Sequence, residues 1–232
     1  MKFHVFYTDN MPNDPWGSKI INDQKRVFDH LGLDIEYVTT PYVDFTKAGD
    51  DHGRIVTEVI RDSEGMICFM DLDCLPHDVE TLQSIYDWVE SNGSFAGNAQ
   101  NISHIPEIKD VVFAAPSMIM VHKDAWLALG SPNMAQQHRQ SDGAVCVDVA
   151  QQLTLNAIEQ GFDYKILYPE GCDIPSWHTD IYGKDFVLGV GTCYPGSWHY
   201  FQGSINSSQN NLWEQRVDGI INNEKLTPLV KF

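Results

Sequence analysis

Two aspartates stand one residue apart directly after a mostly apolar run, in the stretch MICFMDLDCLPHD at residues 66–78. Carboxylates are rarely buried in proteins unless a cation or a hydrogen-bond donor is paired with them. Hard divalent cations such as Mg²⁺ and Mn²⁺ take oxygen ligands and often bridge protein carboxylates to the phosphates of a substrate. Asp71 and Asp73 therefore indicate a divalent-cation site that can hold a diphosphate, with a solvated strand end as the alternative.

The segments around these aspartates alternate between the sequence patterns of strands and helices. Aromatic and β-branched residues mark strands at 2–8, 34–40 and 66–73. Apolar residues at helical spacing mark helices at 18–32, 53–65 and 77–93, where Ser18 caps the first helix and Gly32 ends it. This βαβαβα order predicts an α/β, Rossmann-like fold with a mostly parallel central sheet flanked by helices.

Polar residues stand at the ends of two of these predicted strands. Thr8, Asp9 and Asn10 end the first strand, and Asp71 and Asp73 end the third. Ligands of doubly wound sheets bind beyond the carboxyl ends of the parallel strands, which meet at one edge. We therefore predict that both groups lie at the same edge. If the third strand stays extended through residue 73, alternation turns its two carboxylates to the same side.

The second half of the chain is less regular. The pattern predicts strand, turn and strand at 111–122, a short helix from Asp124, a helix at 147–161, a strand at 163–169 and a last helix near 212–221. No internal repeat, low-complexity tract or linker divides the chain. We therefore predict a single domain over residues 1–232.

Charge and cysteine content argue against several classes of function. The formal net charge is −17 over 232 residues, which argues against binding nucleic acid or an anionic membrane surface. A bound cation can still invert the field of one pocket, so an anionic small molecule is not excluded. The five cysteines form no C-x-x-C pair, and no apolar run reaches the ~20 residues that span a bilayer. We expect a cytoplasmic protein without a signal peptide or an integral membrane segment.

The late stretch GSWHYFQGS, at 196–204, completes a resemblance to a known family. An apolar strand ending in D-x-D, with a late H-[FY]-x-G motif, resembles the GT-A fold glycosyltransferases, especially those of the glycogenin and lipopolysaccharide galactosyltransferase type. The resemblance implies that Asp71, Asp73 and His199 hold Mn²⁺ or Mg²⁺, and the imidazole favours Mn²⁺. This chain departs from the motif in two ways. Gly203 comes one residue late, and the Lys-Pro that often follows is absent, so the usual lysine contact to the diphosphate has no matching residue.

The same resemblance implies a nucleotide-sugar donor. In the family the metal holds the diphosphate, and the segment that FYTDN resembles lines the base and ribose. The residues implied in nucleotide binding are Tyr7, Thr8, Asp9, Asn10, Asp71 and Leu72, with Tyr42 as a further candidate for packing on the base. The implied halves are a nucleotide-binding half at 1–95 and an acceptor half with the metal-ligand segment at 96–232. The expected activity, of the hexosyltransferase type, moves a sugar from a nucleotide-diphosphate sugar to a carbohydrate or other hydroxyl acceptor.

Acidic and amide residues near the predicted helix at 147–161 are the candidates for catalysis. The segment DVAQQLTLNAI resembles the acidic helix start that faces the sugar and acceptor in that family. Asp148 is the first candidate, with a helix N-cap as the alternative. Gln152 can hydrogen-bond sugar hydroxyls without adding charge. Asp142 is the second acidic candidate, with an Asp-Gly turn as the alternative.

Three other classes of protein share part of this pattern. Haloacid-dehalogenase phosphatases also carry D-x-D, but near the N-terminus and followed by Gly-Thr, whereas Cys-Leu-Pro follows here. A sugar nucleotidyltransferase shares the sheet but usually has a Gly-rich first loop with a basic residue, a pattern that YTDNMPNDPWGSK lacks. A non-catalytic carbohydrate-binding protein has no need of both aspartates and the histidine. A metal-dependent glycosyltransferase is therefore our prediction.

Overall fold

Strands and helices alternate through the first part of the chain as the sequence predicts, apart from one short extra strand before the third helix. The computed structural model describes residues 1–41, 48–101, 111–138, 141, 143, 145–181, 184–201, 203 and 210–231. The candidate residues Tyr42 and Asp142 lie outside the described residues. The first elements are β1 (Lys2–Thr8), α1 (Pro15–Leu31), β2 (Asp34–Thr40), α2 (Ala48–Asp62), β3 (Met66–Met70), β4 (Cys74–Pro76) and α3 (Val79–Asn92).

The later part of the chain consists mostly of strands. The elements are β5 (Phe95–Gln100), β6 (Phe113–His122), α4 (Lys123–Ala128), β7 (Gln137–His138), β8 (Val145–Val147), α5 (Gln151–Gln160), β9 (Lys165–Leu167), β10 (Gly171–Ile181), β11 (Lys184–Tyr194), β12 (Ser197–Tyr200), α6 (Asn210–Ile221) and β13 (Val230–Lys231). Within the described residues, no helix is both long and apolar enough to cross a membrane.

Helix α1 shows how local sequence sets an element that later supports the site. Pro15 opens the helix, and the Asp14 carboxylate accepts a hydrogen bond from the Gly17 amide at 2.7 Å, so Asp14 and not the predicted Ser18 is the cap. Gly32 ends the helix in the left-handed conformation, with φ 67°. The buried face comprises Gly17, Ile20, Asp23, Gln24, Val27 and Phe28. Because two of these side chains are polar, they need hydrogen-bond partners inside the core.

One compact unit comprises Met1–Tyr42, Met70–Ser84 and Tyr168–Phe232. Here β1 pairs in parallel with β2, in register from the first residue of each strand to the last. A five-stranded sheet in this unit has the order β13-β10-β11-β12-β4, and each pair of neighbours is antiparallel. This unit contains both the first strand end and the D-x-D pair.

The second compact unit comprises Val43–Phe69 and Ile85–Leu167. Its strands follow the order β3-β6-β5-β9, in which β5 is antiparallel to β6 and parallel to β9. The short strands β7 and β8 form a separate antiparallel pair. Fully buried side chains of this unit include Phe95, Phe113 and Met118.

Taken together, these elements confirm the predicted fold class. The protein is mixed α/β, with a mainly parallel central sheet flanked by helices. The single domain over residues 1–232, with functional halves at 1–95 and 96–232, stays a prediction.

Several predicted boundaries are wrong. A turn was predicted at Pro116, but strand β6 runs through this residue without a break. Proline has no backbone N–H to donate to the neighbouring strand, and a shift in the register of β6 with β5 accommodates it. Helix α5 begins at Gln151 and not at 147, because residues 145–147 form β8 instead. The hairpin of β10 and β11 lies in the Gly-, Pro- and Trp-rich region that the sequence left unassigned.

Candidate metal centre

The D-x-D pair lies in a turn between two strands. Strand β3 ends at Met70, and the amide of Cys74 donates to the carbonyl of Asp71 at 3.0 Å, which closes a four-residue turn before β4. The predicted strand through residue 73 is therefore wrong, and alternation along it does not place the carboxylates. Within this turn Asp71 is half-buried, whereas Leu72 and Asp73 are buried.

Pairing of β12 with β4 brings the late histidine to this turn. The antiparallel register sets His199 opposite Cys74. The amide of Tyr200 also donates to the carbonyl of Asp73 at 2.8 Å. Backbone hydrogen bonds thus hold together two segments that are far apart in the sequence. His199 lies on strand β12, which fixes its position beside the turn.

Asp71, Asp73 and His199 form a three-residue cluster with the spacing of metal ligands. One ligand atom from each residue lies within 4.8 Å of the other two. His199 Nε2 lies 3.4 Å from Asp73 Oδ1. Around an octahedral ion with bonds of about 2.1 Å, neighbouring ligand atoms lie about 3 Å apart and opposite ones about 4.2 Å apart. Two carboxylates and an imidazole at these separations fit Mn²⁺ after small side-chain adjustments.

The electrostatic field of the cluster favours a cation. Burial alone lowers the pKa of His199, because the charged imidazole loses hydration. The hydrogen bond to Asp73 and the negative charges of Asp73 and Asp71 outweigh that effect, so the pKa of His199 is raised above its usual value. The site therefore attracts positive charge strongly enough to overcome the burial of the imidazole. A divalent ion meets the same attraction.

An aromatic core supports the strand that carries the histidine. Trp198 and Tyr200 alternate with His199 along β12, and their rings pack at 6.0 and 5.9 Å from the ring of Trp213. Trp198 also donates to the Asp173 carboxylate at 3.0 Å, and Arg216 forms an ion pair with the same carboxylate. Trp198 is fully buried, so its indole packs in the core.

The glycine that departs from the family motif has a local explanation. A Cβ placed on Gly203 would clash with the ring of Tyr200. The carbonyl of Gly203 accepts a hydrogen bond from the indole of Trp16 at 2.6 Å. Close packing on Tyr200 therefore requires glycine at this position, and Trp16 holds Gly203 by its carbonyl. Trp16 was not among the residues predicted from the sequence.

Four of the residues predicted to bind the nucleotide, Tyr7, Thr8, Asp9 and Asn10, lie at or just after the end of β1, in the same unit as the metal cluster. The ring of Tyr7 packs edge-on against Tyr37, with centroids 5.6 Å apart. The hydroxyl of Thr8 donates to Asn10 Oδ1 at 2.6 Å. The amide of Asp9 donates to a carbonyl of β2 at 2.8 Å, and its side chain is exposed. Nucleotide binding by these residues stays a prediction.

Asp148 lies just before α5, in the second unit, and its carboxylate is held by amides. It accepts hydrogen bonds from Gln136 Nε2 at 2.8 Å, from Gln100 Nε2 at 3.4 Å and from the Val149 backbone amide at 2.8 Å. Ala150, with φ 64°, is the N-cap of α5 and makes no side-chain capping bond. The alternative reading of Asp148 as the helix cap is therefore wrong. Its catalytic role stays a prediction, and Asp142 lies outside the described residues.

Further amides continue this polar cluster along α5. Gln152 accepts a hydrogen bond from Gln137 at 2.8 Å and donates to Asn156 at 2.6 Å. Gln151 is fully buried and accepts from the Asp148 amide at 2.8 Å. Gln152 was predicted from the sequence, whereas Gln100 and Gln136 were not. Both lie on strands or loops distant in sequence from Asp148, so spacing alone gives no signal for them.

Three solved glycosyltransferase structures are similar to this chain. The galactosyltransferase LgtC, solved with donor and acceptor sugar analogues, aligns over 99% of this chain and 98% of its own, at 11% identity and a TM-score of 0.51. A glycosyltransferase involved in glycosylation of the major capsid of PBCV-1 aligns over 74% of this chain and 84% of its own, at 11% identity and a TM-score of 0.43. A Drosophila β1,4-galactosyltransferase 7 mutant, solved with manganese, UDP-Gal and xylobiose, aligns over 71% of this chain and 64% of its own, at 12% identity and a TM-score of 0.39.

The likeness to LgtC confirms the predicted GT-A fold. No protein-family model matches the sequence, and no curated protein matches it.

Proposed function

We propose that this protein is a metal-dependent glycosyltransferase that moves a sugar from a nucleotide-diphosphate sugar to a hydroxyl acceptor, either a carbohydrate or another hydroxyl compound. The observation that carries the proposal is the convergence of Asp71, Asp73 and His199 within 4.8 Å. The GT-A fold adds support, because LgtC, which shares it, was solved with donor and acceptor sugar analogues.

A cation held by Asp71, Asp73 and His199 would let an acidic protein bind an acidic substrate. A protein with net charge −17 repels a nucleotide diphosphate unless positive charge is placed locally. Asp71, Asp73 and His199 would hold a divalent ion, and that ion would supply the positive charge that stabilises the departing nucleoside diphosphate. Asp71 and Asp73 supply the negative charge that holds such an ion, and the imidazole of His199 favours Mn²⁺ over Mg²⁺.

The remaining candidates divide between binding and catalysis. We assign the base and ribose to Tyr7, Thr8, Asp9 and Asn10, and the diphosphate side to Asp71 with Leu72. We assign Asp148 to the sugar and acceptor, where a carboxylate can orient the acceptor hydroxyl, take its proton or stabilise positive charge on the sugar. Gln152 would bond sugar hydroxyls, and Asp142 is the alternative acid. A cytoplasmic location and the lack of a nucleic-acid partner stay predictions from cysteine content and charge.

A product assay tests the proposal against its competitors. The protein is incubated with a panel of nucleotide sugars and Mn²⁺, and a parallel series contains EDTA. We expect nucleoside diphosphate to be released with Mn²⁺ and not with EDTA, because the leaving group needs the metal. Release of inorganic phosphate instead would favour a phosphatase. Formation of nucleoside triphosphate on addition of pyrophosphate would favour a nucleotidyltransferase.

Asp9 offers a test of the nucleotide site that leaves the fold intact. We expect Asp9→Ala to weaken binding of the nucleoside diphosphate by about tenfold, the effect of losing one hydrogen bond to a charged group. Its backbone bond to β2 does not depend on the side chain, so the melting temperature should barely change. Calorimetry with Mn²⁺ present measures the affinity, and Asp34→Ala, which removes another exposed carboxylate, is the control. Unchanged affinity in Asp9→Ala would remove Asp9 from the site.

A further inference from the structure

Gln24 is a polar residue in an apolar position of helix α1. Its neighbours on the buried face, Ile20, Val27 and Phe28, are all fully buried, and so is Gln24. A leucine here would bury apolar surface without the cost of removing an amide from water. The hydrogen bonds that the amide makes must therefore account for its presence.

Those bonds go to the two ends of the D-x-D turn. Gln24 Nε2 donates to the carbonyl of Asp71 at 2.9 Å and to the carbonyl of Cys74 at 2.8 Å. The hydroxyl of Tyr37 lies 3.2 Å from Gln24 Oε1 and 3.2 Å from the Ile21 carbonyl, so the amide oxygen faces a donor. Both N–H groups of the Gln24 side chain thus donate to backbone carbonyls of the turn that carries Asp71 and Asp73.

We propose that Gln24 is a positioning residue for the metal centre. This inference rests on the proposed function, because it requires a cation at Asp71, Asp73 and His199. Within the turn the Cys74 amide donates to the Asp71 carbonyl, and Gln24 bonds the two carbonyls at either end of the turn. It therefore holds the turn in a single conformation before any ion arrives.

We expect removal of the Gln24 amide to change the affinity for the metal more than the rate of the chemical step. A ligand set that is fixed in advance binds more tightly, because less conformational freedom is lost when the ligand arrives. Partners that orient metal ligands typically change metal affinity by about 10- to 100-fold when they are removed. Gln24 acts on the backbone of the turn and does not contact the ion, so we expect a loss near the lower end of that range.

The experiment measures Mn²⁺ binding by electron paramagnetic resonance of the free ion, with Mn²⁺ alone as the probe. Gln24→Met keeps a side chain of similar length and shape but cannot donate. We expect its Mn²⁺ affinity to fall by about tenfold relative to the wild type. Val27→Ala is the matched control, since it removes buried apolar atoms from the same helix and cannot lose a bond to the turn. We expect Val27→Ala to melt at a lower temperature and to bind Mn²⁺ as the wild type does.

The outcomes separate this inference from the proposed function. Wild-type affinity in folded Gln24→Met would overturn the positioning role and leave the metal site standing. Equal losses of affinity in Gln24→Met and Val27→Ala would also overturn it, since general destabilisation would then explain both. No Mn²⁺ binding by the wild type would overturn the metal site and the inference together. If Gln24→Met does not fold, Gln24→Asn, whose amide is one methylene too short to reach both carbonyls, decides the matter. A severalfold loss in that variant supports the role, and wild-type affinity overturns it.

Discussion

Replacing Asp73 by asparagine is expected to lower turnover of a nucleotide sugar by about a thousandfold, equivalent to roughly 4 kcal/mol of transition-state stabilisation. Asp73 is 5% exposed and lies 3.4 Å from His199, so its charge acts with little screening by water. An amide keeps the size of the side chain but removes the anionic oxygen that holds the cation. Without that cation, negative charge on the departing diphosphate is left unbalanced.

The measurement for Asp73→Asn is steady-state turnover with saturating donor and Mn²⁺, beside a thermal melt without metal to show that the fold survives. Asp34→Asn, at the exposed start of β2, is the control and should keep wild-type turnover. If Asp73→Asn keeps a tenth or more of wild-type turnover while folded, Asp73 does not hold the catalytic ion.

Asp148→Asn is expected to lower turnover by roughly a hundredfold or more, while affinity for the nucleoside diphosphate with Mn²⁺ stays near that of the wild type. The reason is a division of roles, in which the metal and the base pocket hold the nucleotide and Asp148 acts on the sugar and acceptor. Gln136 and Gln100 lose an ionised acceptor, so the melting temperature should fall by a few degrees.

For Asp148→Asn, turnover, nucleotide affinity and melting temperature are measured on the same preparation. Asp163→Asn removes an exposed carboxylate of the same unit and should change none of the three. Near-normal turnover in Asp148→Asn would leave Asp148 as a structural residue of the amide cluster. The search for the catalytic acid would then move to Asp142.

The positions of the strand ends could be predicted from the sequence because their signals are local. Apolar runs stop at Thr8 and Met70, and polar residues follow at once. The apolar spacing of α1 also predicts its buried face, although the cap lies at Asp14 and not at Ser18. Glycines mark helix ends well, as Gly32 does with φ 67°.

The geometry of the site could not be predicted in the same way, because it depends on contacts between distant segments. Strand β4 is three residues long, and its pairing with β12 carries no signal in either segment alone. The family resemblance, and not periodicity, indicated that His199 joins the aspartates. Gln24 does stand out in the sequence as a polar residue on an apolar face. Its partners lie 47 and 50 residues away, so only the structure identifies them.

Thermal unfolding with nucleoside diphosphates, in the presence of Mn²⁺ or of EDTA, tests the central claim that Asp71, Asp73 and His199 bind a cation that holds a diphosphate. UDP, GDP, ADP, CDP and dTDP are each added to the wild type and to Asp73→Asn. We expect at least one of them to raise the wild-type melting temperature by about 5–10 °C at 100 times its dissociation constant, and only with Mn²⁺. We expect no such rise in Asp73→Asn. Equal stabilisation in EDTA, or none by any diphosphate with Mn²⁺, would show that these three residues do not bind a cation that holds a diphosphate.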